Sequence, residues 1–132
     1  MGMDQLIGAY WQHYQLAHAR GRGDRIYGTA YAWAGELVDD VAVRADTGVR
    51  VEVGPVELML KLAAHAPDEK ALAYLGAGPV ERYLSCGSPD LDAVDAAAIQ
   101  SERFRLALRC AWFDDRLPAR DSQRLRRFGP PL

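Results

Sequence analysis

The side chains able to do chemistry in this 132-residue chain fall into a few groups, and spacing disposes of most of them. His13, His18 and His65 are its three histidines. His13 and His18 stand five apart, which on a helix turns them roughly 140° from one another, whereas shared metal ligation favours a spacing of three or four. Cys86 and Cys110 form neither a CxxC pair nor a Cys/His cluster, so zinc and thioredoxin-like chemistry have no support. Asp90, Asp92 and Asp95 suggest a calcium loop until the register is checked: its fifth position would be Val94, and its sixth, where glycine makes the sharp turn, is Asp95. GAGPVE at 76–81 carries two glycines of a dinucleotide fingerprint but has Glu81 in place of the third. No GxSxG elbow occurs. Glu36 and Glu81 would form an acid/base pair only if the fold brought them together. No catalytic, cofactor or metal set is therefore expected.

The elements that must position these residues read as helices. Leu6, Ile7, Tyr10, Trp11, Tyr14 and Ala17 recur at three and four, predicting a helix over 4–18 that ends at GRG. Asp24 is placed to cap a second helix whose stripe, Ile26, Tyr27, Ala30, Trp33, Ala34, Leu37, Val38 and Val41, runs to about Ala45. Val49, Val51 and Val53 alternate with Arg50 and Glu52, which predicts a short extended segment at 48–53. The tetrapeptide GPVE occurs at 54–57 and again at 78–81. Glycine at the cap, proline at the first helical position and glutamate two residues later suit a helix start, so both copies predict one. Between them, a helix after Pro67 is expected to end at Gly76. Ser88 with Pro89 predicts another start, and Ser101 opens a last helix bearing Phe104, Ala107, Leu108, Ala111 and Trp112. The expected fold class is all-α: roughly six or seven short helices in a compact bundle or a short HEAT-like stack.

Composition agrees with a folded domain. Apolar residues make up 49% and charged residues 26%, too apolar for a wholly disordered chain. The net charge of −2 hides an asymmetry, because 116–132 carries five arginines against Asp121 alone and leaves the rest acidic. The expected organisation is one helical domain over 1–115 followed by a basic, flexible tail over 116–132. An acidic body argues against nucleic acid as its partner. No apolar stretch approaches the ~18 residues of a membrane span, and MGMDQL lacks the basic and apolar regions of a signal peptide. The expected location is the cytoplasm, with no membrane partner.

AYAWAGELV at 30–38, LAYLGAGPVERYLSCG at 72–87 and SERFRLALRCAW at 101–112, taken in that order, resemble an uncharacterised family of small bacterial helical proteins. The matching positions include Trp33, Glu36, Gly78, Pro79, Glu81, Phe104 and Trp112, over about residues 25–114. The chain departs from the pattern at Gly76, at Val80 where leucine is usual, and in the valine-rich stretch at 47–54. The resemblance implies no enzymatic role; some proteins of this kind look like immunity proteins of toxin systems. Together with the acidic body, it points to a protein partner, a basic toxin covered through an acidic helical face by an immunity-like or antitoxin-like inhibitor. The candidate contacts are Asp39, Asp40 and Asp46, with Asp90, Asp92 and Asp95 at a second helix start. Two alternatives belong to other classes: a homodimeric scaffold joined through Tyr10, Trp11 and Tyr14, and a hydrolase-like enzyme using Glu36 and Glu81.

Overall fold

In α1 (Met3–Ala19), the residues spaced at three and four form the buried side: Leu6, Ile7, Tyr10, Trp11, Tyr14 and Ala17. The computed structural model describes residues 2–19, 31–43 and 53–132. The Trp11 indole donates to the carbonyl of Leu62 at 3.0 Å, satisfying a buried N–H and fixing α1 against α3 (Pro55–Ala64). Tyr10 and Tyr14 meet the Trp11 ring edge to face at 4.8 and 5.6 Å, a favourable arrangement of ring quadrupoles. The aromatic face expected as a dimer surface is thus spent on the core.

The described part of the second helix is α2 (Ala32–Ala42), which buries Ala34, Leu37, Val38 and Ala42 and packs on α1. It stops at Val43, short of Ala45, and Asp24, Ile26, Tyr27 and Ala30 lie outside the described residues. So does the expected extended segment apart from Val53, which is half-buried at a bend. The first GPVE behaves as expected. Gly54 is extended (φ −73°, ψ 160°), Pro55 opens α3, and Val56, Leu58, Met59, Leu62 and Ala63 are buried.

The second copy does not start a helix, which corrects the expectation drawn from the repeat. Asp68 caps α4 (Glu69–Leu75), which continues through a π-helical turn, Gly76–Val80, directly into α5 (Glu81–Leu84). Gly76 stays right-handed helical at φ −64°, ψ −49°. Pro79 has no N–H to give and would clash with the carbonyl four residues back; the wider turn absorbs both effects. Gly76 serves a different purpose. A Cβ there would lie 2.0 Å from the Ala107 carbonyl oxygen, so its absence lets α7 (Glu102–Arg109) approach the turn backbone to backbone. The two copies differ in what precedes them, an extended residue in one and a running helix in the other.

Asp90, rather than Ser88, caps α6 (Leu91–Gln100), accepting from the Ala93 N–H at 3.1 Å. Ser101 caps α7 through the Phe104 N–H as expected, and Phe104, Ala107 and Leu108 are buried. Helix α7 packs against α3, α4, the π-helical turn and α6, which makes it the centre of the bundle. Trp112 lies beyond its end and is exposed. Among the described residues the fold is all helical and compact, and no helix is long and apolar enough to cross a membrane.

The segment 116–132 is not a free tail. It forms α8 (Ala119–Arg126), whose Leu125 is buried, and its basic side chains neutralise acids of the body. Arg124 pairs with Asp92 and, at 2.6 Å, with Asp95; Arg127 reaches the same Asp95 oxygen at 3.1 Å. Arg126 bonds Asp114 at 2.7 Å while its guanidinium lies 4.0 Å over the Phe113 ring. The final residue is tied back as well, Leu132 N–H donating to the Arg109 carbonyl at 2.9 Å. The charge asymmetry read from the sequence is an internal complementarity: the acidic α6 and the basic C-terminus are partners.

Candidate functional site

A cleft of about 380 Å³ opens between α1, α2 and the π-helical turn. Helix α1 supplies Tyr10 and His13, three residues apart on one side of the helix. Glu36 and Asp39 come from α2 at the same spacing, Tyr74 from α4 and Arg82 from α5. Ala77, Gly78 and Pro79 line it from the widened turn, where small or absent side chains leave room. Gly35 lies against the His13 ring, and a Cβ there would touch the ring at 3.4 Å.

The electrostatics of the cleft follow from burial. Asp39 pairs with Arg82 at 2.5 Å, yet loss of solvent outweighs the arginine and pushes its carboxyl above the usual carboxylate value. Burial, reinforced by Tyr74 and Asp39, raises the Tyr10 phenol well above its ordinary value, so its hydroxyl stays protonated. Burial and the neighbouring His18 lower His13, keeping its imidazole neutral at pH 7. A histidine depressed in the fold binds its proton more readily when unfolded. Its contribution to stability is therefore present above the ordinary value of 6.5 and is lost as pH falls through the lower folded value. The melting temperature of the wild type is expected to fall between pH 7.5 and 5.5 by more than that of His13→Gln; parallel falls would contradict the shift.

The predicted site residues separate sharply. Asp39 is in the cleft, bound to Arg82; Asp40 is half-buried and makes no ion pair among the described residues; Asp46 lies outside them. Asp90 caps α6, while Asp92 and Asp95 are held by Arg124. The second aspartate cluster is thus occupied within the chain. Trp33 and Glu36 are exposed on α2, Gly78 and Pro79 line the cleft, and Phe104 is in the core. Glu81 is engaged on another side of the bundle, where one carboxylate oxygen accepts the Trp112 N–H at 2.6 Å and the other faces Arg116 at 3.5 Å. Glu36 lines the cleft and Glu81 does not, so the acid/base pair is not assembled there.

Among the described residues no group of three His, Cys, Asp or Glu is placed to hold a metal ion. The cysteines are not joined in a disulfide, and burial pushes the Cys110 thiol above its ordinary value, away from reactivity. Sequence reasoning missed Tyr10, Tyr74 and Arg82 as site residues. The signal for Tyr10 was present but ambiguous, because a buried aromatic stripe reads as core whether or not one hydroxyl edge faces a cleft. Comparison of the chain with protein-family models, with curated proteins and with solved structures gives no match, so the functional reading rests on this geometry.

Proposed function

We propose that the chain is a small protein-binding protein of the immunity or antitoxin type, which engages a basic partner through the outward side of α2. The observation that carries this reading is the pairing pattern of the acids. Asp92 and one oxygen of Asp95 are engaged by the C-terminal arginines, whereas Glu36 and Asp40, four residues apart on α2, make no ion pair among the described residues. Trp33 stands three residues before Glu36 on the same stripe and is 37% exposed. An exposed tryptophan beside carboxylates that carry no ion pair among the described residues is the composition of an interface anchor, with the ring supplying contact area and the acids supplying steering and register.

The binding surface thereby narrows from two aspartate clusters to one helix. Its test is capture from the native host at low salt with the tagged intact chain as bait, beside a Trp33→Ala/Asp40→Lys bait. Both altered side chains are at least partly exposed, so the variant should fold. The wild type is expected to retain a basic protein that the double variant loses and that added salt releases. Equal retention by both baits would reject the α2 surface.

A further inference from the structure

We infer that the cleft between α1, α2 and the π-helical turn is an anchoring pocket for a guanidinium, the side chain of an arginine presented by the basic partner. This rests on the protein-binding reading above and names what the α2 surface grips.

Charge comes first. With His13 neutral, the charged residues among the described residues lining the cleft are Glu36 and Asp39 against Arg82, a surplus of one negative charge. A monocation balances it, while an anion would meet two carboxylates for one arginine. Unfilled hydrogen-bonding capacity is the second observation. Arg82 occupies Oδ1 of Asp39, and no described residue bonds the other oxygen. Glu36 adds a carboxylate at the rim that carries no ion pair among the described residues. The Asp39 side chain is 37% exposed and Glu36 is exposed, so both carboxylates stay open to a cation. These are acceptors, and a guanidinium has five donors in a planar fork, more than an ammonium can direct at once.

Shape is the third. The Tyr10 and Tyr74 rings, 6.1 Å apart between centroids, give the aromatic surface on which a weakly hydrated guanidinium packs. The volume is at the small end of ligand sites, sized for one side chain rather than a large cofactor. The cleft also shares Glu36 with the α2 stripe, so an arginine seated there would lie next to Trp33 at the centre of the contact.

The test uses capped arginine, Nα-acetyl-arginine methylamide, titrated into the intact chain and followed by amide NMR. Shifts are expected at Gly35 and Gly78, with a dissociation constant on the order of 1 mM for one isolated side chain. Capped citrulline, which keeps the shape and removes the charge, is expected to leave those amides unmoved. Glu36→Gln, at an exposed position that leaves the fold intact, is expected to weaken capped arginine about tenfold through loss of one charge-assisted contact. Equal shifts from citrulline, no shift at about 20 mM arginine, or an affinity unchanged in Glu36→Gln would each overturn the pocket. A captured partner whose binding needs Trp33 but not Glu36 would overturn the anchor and leave the protein-binding reading standing. Binding of capped arginine with no partner captured would overturn the partner as its source and assign the cleft to a free guanidino compound.

Discussion

Replacing Gly76 with alanine is expected to destabilise the protein by about 3 kcal/mol, the upper end of what overpacking a filled core costs. The added Cβ would fall 2.0 Å from the Ala107 carbonyl oxygen and 2.9 Å from the Cys110 Cβ. Its main obstacle is backbone, which cannot swing aside as a side-chain tip can. Relief would require α7 to back away from the π-helical turn, and α7 also holds α3, α4 and α6. The control is two residues away. Nothing lies within 4 Å of a Cβ built on Gly78, so Gly78→Ala should change stability by less than about 1 kcal/mol and in the favourable direction, since alanine suits a helix better than glycine. Denaturant unfolding of the two variants decides the point. A Gly76→Ala protein as stable as the Gly78 variant would mean that α7 does not seat on this turn, and the wall of the cleft would have to be redrawn.

The second large effect concerns the C-terminus. Leu125→Ala is expected to cost about 3 kcal/mol, as for a fully buried leucine whose cavity cannot collapse. Gln123→Ala, on the exposed side of the same helix, should be near neutral. A free basic tail would give no cost for either substitution. The cost has a functional corollary, because α8 is what holds Arg124 and Arg127 against Asp92 and Asp95. Loosening it would strip Asp92 and Asp95 of their counter-charges and leave α6 with a net acidic end.

Local rules were legible in the sequence where a residue's own neighbours decided the outcome. The α1 stripe, the Gly54-Pro55 start and the Ser101 cap all depend on contacts within a turn or two, and each is where periodicity and capping chemistry put it. Gly78-Pro79 failed because the same chemistry is compatible with a wide turn inside a helix. The choice was made by the backbone of Ala107, thirty-one residues beyond Gly76 in the chain. The C-terminus failed for a related reason. Five arginines in seventeen residues look like a solvated end until their counter-charges are found, and these lie on α6 and at Asp114. Of the site, Glu36, Asp39, Gly78 and Pro79 stand out in the sequence, although Gly78 and Pro79 read there as a helix start. Arg82 and Tyr74 carried no sequence signal, since nothing in the spacing says that α5 faces α2.

The reading of function turns on which acids remain for a partner. The most direct measurement is a hydrogen-exchange footprint of the chain bound to the basic protein it captures. The account predicts added protection over 32–42 and at 77–82 around the cleft, with α6 and α8 unchanged because Asp92, Asp95, Arg124 and Arg126 are already paired within the chain. Protection confined to 91–100 and 119–126, with α2 exchanging as in the unbound chain, would contradict it.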